Sequence, residues 1–490
     1  MRLARTLAAL LAGMAALVLS GCLSVPLAAE TARKPNVIII LADDAGYGDF
    51  GFQGSWEMQT PNIDLLAQQG VVYDQAYATT PFCSPSRAGL LTGRHPLRYG
   101  FEFNLTHDPA PGIDPAFMGL ATGERTIADH LRATGYRTIA VGKWHLGDAP
   151  QFHPNVRGFD HFYGLIGGNS RYFPQAIKPG AIERNGTPAQ AREYLTDDFA
   201  TEAIEQIEAA GDAPFLLYLA FTAPHTPMDA TAADIARFRH IADPQRKRLA
   251  AMTWAMDRSV GRVLEALKAR GLDRDTLVIF TNDNGGDTIG LDAGNRPLRG
   301  MKGTLLEGGI RVPMIVRFPD GAGAGQRSAQ PVSLMDILPT ALNLSGEPSP
   351  AELDGRALLP GNAGQAERTL YWRYDTVAAM RQGSWKLLRF PDRAPQLYNL
   401  AADPGEASDR AAQEPERLSA MMRALFAWEG TVEHPRWHTG SFWSQEDIRR
   451  YSETHVRAEN AKAKAGLSPE PEGKPQWIKP SSARHPYDRD

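Results

Sequence analysis

Four stretches of this chain end an apolar run with side chains able to ligate a metal, hold an anion or move a proton. Asp43-Asp44 follows the run at 36–41, and Lys143 and His145 follow 136–141. His225 follows 215–221, and Asp283-Asn284 follows 276–281. Any one of these is unremarkable. An Asp-Asp pair after a strand is more often a turn than a ligand pair, and a histidine within Ala223-Pro-His-Thr-Pro227 is ordinarily a loop residue. The same placement four times is hard to attribute to turns. Asp43, Asp44, Asp283 and Asn284 are hard oxygen donors, which suits Ca²⁺, with Mg²⁺ as second choice, rather than Zn²⁺. Lys143, His145, His225 and Lys302 beside such a cation would favour an anionic ligand. Cys83-Ser84-Pro85-Ser86-Arg87 adds a sulfur. Ser84 and Pro85 read as the N-cap and first residue of a helix, which puts Cys83 where backbone N–H groups favour an anion. A thiolate nucleophile is one reading of Cys83, and a buried structural cysteine is the other.

The apolar runs have the continuous, β-branched texture of strands buried on both faces. Helical patterns lie between them at 124–134, 197–210 and 244–270, closed by Gly135, Gly211 and Gly271. The alternation predicts an α/β fold: a large, mixed but mostly parallel sheet flanked by helices. Ligands bind at the carboxyl ends of strands in such sheets. Past about residue 365 the texture changes to short aromatic segments at 370–373, 378–381, 385–390 and 396–400, then a helix at 415–429. That predicts a small C-terminal antiparallel-sheet α+β subdomain. The expected division is a catalytic domain at 35–365, a C-terminal subdomain at 366–430 and a polar extension at 431–490.

The chain has 490 residues, with 52 Lys+Arg against 56 Asp+Glu and a formal charge of −4, so neither nucleic acid nor anionic lipid would attract it non-specifically. Its two cysteines exclude a disulfide framework. The first has its own explanation. Arg2 and Arg5 precede an apolar run that ends Leu19-Ser20-Gly21-Cys22, which resembles a bacterial lipobox. Residues 1–21 are therefore expected to be a lipoprotein signal peptide and Cys22 an acylated anchor. Residues 22–34 would be a tether, and the chain would stand on the extracytoplasmic side of a bacterial membrane.

The motifs also carry a family resemblance. Cys83-x-Pro-Ser-Arg87 with Leu91-Thr-Gly-Arg94 resembles the signature of the type I sulfatases, on the alkaline phosphatase-like scaffold. Pro35-Asn-Val-Ile-Ile-Ile-Leu-Ala-Asp-Asp-Ala-Gly-Tyr-Gly-Asp49, Gly142-Lys-Trp-His-Leu-Gly147, Lys302-Gly-Thr-Leu-Leu-Glu-Gly-Gly-Ile-Arg-Val-Pro313 and Leu397-Tyr-Asn-Leu-Ala-Ala-Asp-Pro-Gly-Glu406 resemble its other blocks, in order. The resemblance implies that a maturation enzyme converts Cys83 to Cα-formylglycine. It further implies that Asp43, Asp44, Asp283 and Asn284 hold Ca²⁺ with residue 83, and that Arg87 steadies that residue. Lys143, His225 and Lys302 would bind sulfate oxygens, His145 would lie beside the diol, and Asn169 or Ser170 could add a polar contact.

The chemistry of a hydrated aldehyde supports the modification. One hydroxyl attacks sulfur, and deprotonation of the other expels sulfate by C–O cleavage, a route closed to serine. His225 is expected to be general acid for the leaving alcohol and His145 the base. Substrate choice is expected to lie in loops 101–120, 165–195 and 288–299. Asn295-Arg-Pro-Leu-Arg299 resembles versions in carbohydrate sulfatases, which favours a sulfated sugar over an aryl sulfate. The alternative activity is phosphonate or phosphate monoester hydrolysis on the same scaffold.

Overall fold

A computed structural model describes residues 34–106, 109–360, 367–440, 445 and 449–451. The signal peptide, the tether and Cys22 expected from the sequence lie outside the described residues, except Lys34. Five strands form the centre of the large sheet: β1 (Asn36–Ala42), β2 (Arg137–Lys143), β3 (Phe215–Ala220), β4 (Thr276–Asn282) and β5 (Met314–Arg317). The order across it is Arg327–Ser328, Val71–Tyr73, β5, β4, β1, β3, β2, His161–Leu165, Ile182–Arg184 and Thr187–Ala189. Strand β1 runs parallel to both neighbours, with Ile39 opposite Tyr218 on one side and Ile279 on the other. Strand β5 runs antiparallel to β4, so the sheet is mixed, as expected.

The continuous apolar run of β1 follows from burial on both faces. Val37, Ile39 and Leu41 pack into one hydrophobic cluster and Ile38, Ile40 and Ala42 into another, because successive strand side chains point to opposite faces. The second cluster is roofed by helices Leu195–Ala209 and Pro244–Ala269. The first contains Leu90 and Leu91 of helix α1 (Cys83–Thr92). The helix expected over 124–134 is shorter, Ile127–Arg132. Thr126 rather than an earlier residue caps it, accepting from the Asp129 N–H while the Asp129 carboxylate takes the Thr126 N–H.

The C-terminal sheet comprises β6 (Thr369–Tyr374), β7 (Val377–Gln382), β8 (Trp385–Arg389) and β9 (Gln396–Asn399), antiparallel in sequence order, followed by helix Pro415–Glu429. It shares the core beneath α1: Trp372 donates its Nε1–H to the Ala78 carbonyl at 2.8 Å, and Tyr374 lies 4.6 Å from the Phe82 ring. Beyond residue 430, where a polar extension was expected, Trp437 is buried edge-on to Phe101. No helix among the described residues is long and apolar enough to cross a membrane.

Candidate active site

The carboxyl ends of β1, β2, β3 and β4 converge, and α1 closes the fourth side. Asp43 and Asp44 could not both face one point from a regular strand, whose side chains alternate. Asp44 has φ +64°, in the left-handed region that Asp tolerates better than most residues. The turn this makes brings both carboxylates to Cys83, with Oδ1 atoms 3.6 and 3.9 Å from its Sγ. His145 is likewise left-handed, at φ +57°.

One expectation about α1 needs correction. Ser84 is not the cap: Phe82 is, with φ −136° and ψ 154°, and Cys83 is already the first helical residue. Pro85 is thus two residues deeper than expected, the third helical residue and still in the first turn, where its missing N–H costs nothing. Ser84 instead donates its N–H to Asn104 Oδ1 and accepts from the Leu105 N–H, tying α1 to the following loop. Cys83 is fully enclosed. Burial pushes its thiol well up, against the pull of the Lys143 and Lys302 ammoniums.

Arg87, one helical turn beyond Cys83, is the internal brace. Its Nε and Nη2 donate to Asp283 Oδ2 at 3.0 and 2.8 Å, and its Nη1 donates to the Lys143 carbonyl at 3.0 Å. Lys143 Nζ lies 2.7 Å from Asp43 Oδ2, and Lys302 Nζ lies 2.6 Å from Asp44 Oδ2. Burial raises the Asp44 carboxyl, but Lys302, His225 and Lys143 outweigh it and hold the group well below the usual range. His225 Nε2 is 3.4 Å from Asp44 Oδ2, while its Nδ1 donates to the Thr226 carbonyl at 2.6 Å. Burial pushes this imidazole down to about 4, Asp44 opposing it, so the ring is neutral at pH 7 and turns the Nε2 lone pair to the site. His145 is driven well below its ordinary value by burial, Lys143 and Arg87, and its Nδ1 is buried without a hydrogen-bond partner.

A hard divalent cation fits this donor set. Carboxylate oxygens of Asp43, Asp44 and Asp283 lie beside Asn284, whose Nδ2 donates to Asp44 Oδ1 at 2.8 Å while its Oδ1 is buried and accepts from no protein group. Cys83, Asp43, Asp44 and His225 also present ligand atoms within 4.8 Å of one another. The formal charges of Asp43, Asp44 and Asp283 equal those of Arg87, Lys143 and Lys302. A divalent cation added to this balance leaves the site positive, as an anion-binding centre requires.

The catalytic, sulfate-binding and metal-ligating residues read from the sequence meet at this centre; of the two candidates for an added polar contact, Asn169 is exposed and Ser170 buried. Of the expected substrate loops, 101–120 and 165–195 contribute to a cleft of about 320 Å³ that opens beside His145. Within 288–299, Asn295 is a buried clip instead. It takes the Gly286 N–H and donates to the Gly286 and Gly300 carbonyls.

The sequence reading missed several supports. A Cβ on Gly168 would stand 2.8 Å from His145 Nε2, so only glycine leaves that ring its place. The Lys302 loop is held from afar: Arg450 donates to the Lys302 carbonyl at 2.6 Å, and Glu406 accepts the Glu307 N–H at 2.7 Å. Lys386 lies 2.9 Å from both the Glu307 and the Glu406 carboxylate, wholly buried. Nothing local in the sequence marks such distant contacts, although the Glu307 and Glu406 motifs were both visible.

Known proteins match this arrangement. The sulfatase family matches residues 35–347, and the family of N-sulphoglucosamine sulphohydrolase C-terminal regions matches 301–426. N-acetylgalactosamine-6-sulfatase of Mus musculus is 34% identical over 384 residues, 74% of this chain and 73% of that protein. Among solved structures, Ps i-CgsB in complex with k-i-k-neocarrahexaose is 36% identical with a TM-score of 0.78, covering 87% of this chain and 100% of that one. The PsFucS1 sulfatase from Pseudoalteromonas sp. is 27% identical with a TM-score of 0.69, covering 83% and 92%. On this ground the chain belongs to the sulfatase family, with its alkaline phosphatase-like fold, and is a sulfuric ester hydrolase.

Proposed function

We propose that the protein hydrolyses sulfate monoesters of a sulfated carbohydrate, with Ca²⁺ at Asp43, Asp44, Asp283 and Asn284 and with Cys83 converted to formylglycine. The observation that carries this reading is the state of Cys83. A cysteine nucleophile needs a lowered pKa, whereas burial drives this thiol up although two ammoniums and a helix N-terminus are at hand. A thiol kept neutral in this way is a poor nucleophile, which supports a group other than sulfur acting at this position. The saccharide substrate is supported by relatives whose names record carbohydrate sulfates or a bound carrageenan oligosaccharide. We further propose that the chain is exported and anchored through Cys22.

Lys143 and Lys302 are placed to take sulfate oxygens, since each ammonium can exchange part of its carboxylate contact for the substrate anion. Arg87, saturated by Asp283 and the Lys143 carbonyl, stays fixed and holds residue 83 in register with Lys143. His225 is neutral in the free protein, and the arriving anion beside Nε2 favours its protonation, readying it to protonate the leaving alcohol. His145 is neutral, with a buried Nδ1 that has no hydrogen-bond partner, and is assigned the proton of the second hydroxyl. The bound Ca²⁺ would offset charge on sulfate oxygens, and the hydrated aldehyde would supply the paired hydroxyls that attack sulfur and later release sulfate. Sulfate release from a panel of sulfated mono- and oligosaccharides tests the reading. Faster hydrolysis of aryl phosphonates than of any sulfate ester would replace it with the monoester-hydrolase alternative.

A further inference from the structure

The cleft beside His145 has a chemistry of its own. Leu105, Pro115, Ala116 and Met118 give it apolar walls, and Asp148 places a carboxylate among them. No lysine or arginine is among the described residues lining it. Its volume of about 320 Å³ is near the low end for ligand sites, which suits a group of one or two sugar rings.

Next to two of those wall residues stands Phe117, 68% exposed and the most exposed large apolar side chain among the described residues. Its turn, Pro115–Phe117, does not hang free. Asp114 Oδ1 accepts the Ala116 N–H at 2.9 Å, Gln151 donates to the Ala116 carbonyl at 2.9 Å, and Arg436 donates to the Phe117 carbonyl at 3.4 Å. A fastened turn that keeps an aromatic ring in water between two residues that line a cleft forgoes burial that a looser segment would recover. A pyranose offers such a ring its C–H face, while its rim hydroxyls donate to carboxylates. A second sulfate or a uronate on that ring would meet the Asp148 carboxylate, with no lysine or arginine among the described lining residues to offset it.

We propose that this cleft binds an uncharged saccharide ring bearing the scissile ester. Phe117 would stack on the substrate at the mouth, Asp148 would accept a hydroxyl, and the carboxylate would discriminate against a second anionic group. The inference rests on the carbohydrate-sulfatase reading and narrows it.

The test compares three substrates: 4-nitrophenyl sulfate, a disaccharide with one sulfated N-acetylhexosamine, and the same disaccharide with a second sulfate on that ring. Phe117→Ala should raise KM for the monosulfated disaccharide about 3- to 10-fold with kcat little changed, a larger loss than on 4-nitrophenyl sulfate. Asp148→Asn should raise kcat/KM for the disulfated relative to the monosulfated disaccharide by about 3- to 10-fold. Gly167→Leu, whose Cβ would meet no atom within 4 Å, should obstruct both disaccharides without disturbing the fold. If wild type hydrolyses the disaccharides but Phe117→Ala and Asp148→Asn leave these ratios unchanged, the inference is overturned and the reading beneath it stands. If wild type hydrolyses 4-nitrophenyl sulfate and no saccharide sulfate, both fall.

Discussion

Replacing Lys302 by Met should weaken the metal-free protein and at the same time tighten its hold on Ca²⁺. The Lys302 ammonium lies 2.6 Å from Asp44 Oδ2, both side chains being almost wholly buried. Without it, Asp44 keeps only the Lys143 ammonium, which is paired with Asp43, beside a neutral His225 ring and the Asn284 amide. Breaking a buried pair from one side costs about 3–5 kcal/mol. Unfolding entropy of about 2.1 cal/mol/K per residue amounts to roughly 1 kcal/mol/K for a chain of 490 residues. In chelator the melting temperature should therefore fall by about 3–5 °C. Loss of one positive charge also leaves the carboxylates in excess, so Ca²⁺ should bind at least about tenfold more tightly. The gap in melting temperature should close as Ca²⁺ is added, while kcat/KM drops by about 10²–10³ with the lost sulfate contact. Scanning fluorimetry with a Ca²⁺ titration, alongside sulfate release, reads all three. A melting gap that stays or widens in saturating Ca²⁺ would refute the idea that lysine and metal neutralise the same carboxylates.

Other expectations concern proton transfer and the distant supports. His225→Ala should lose about 10²–10³ on a sugar sulfate and markedly less on 4-nitrophenyl sulfate, whose leaving group barely needs a proton; equal losses on both would make His225 a sulfate ligand only. His145→Ala should show a burst of alcohol ahead of sulfate in rapid-quench measurements, and absence of a burst with a leaving-group-dependent loss would contradict its role as base. Lys386→Met leaves the carboxylates of Glu307 and Glu406 buried together and should cost about 3–5 kcal/mol, read by chemical denaturation. Adding Glu307→Gln should restore part of that loss, and no recovery would show that packing rather than charge accounts for it.

What could be read from the residues follows physical range. Strand β1 was legible because burial on both faces demands an unbroken apolar run, and its ends and those of β2, β3 and β4 marked the site. The short strands Ile182–Arg184 and Thr187–Ala189 were not, since three residues with partly exposed side chains carry no period. Ser84 misled because Ser-Pro is an N-terminal signal in itself, and nothing local says that Cys83 has already begun the helix. The ligating and charged residues were legible by type and position. Their supports were not: Gly168 against His145, Arg450 on Lys302 and Lys386 between two glutamates are meetings of distant segments. Asn295 shows the opposite case, a residue whose motif suggested substrate and whose contacts are all with backbone.

The central claim is that residue 83 acts only after conversion, and one measurement meets it directly. Protein prepared with and without a formylglycine-generating enzyme should be digested, and the peptide carrying Ser84 to Arg87 weighed, while the same samples are assayed for sulfate release with Ca²⁺ present. The account predicts a peptide lighter by the difference between a thiol and an aldehyde, and sulfate release proportional to the converted fraction, reaching zero in Cys83→Ala. Full turnover by protein whose Cys83 is entirely thiol would contradict it.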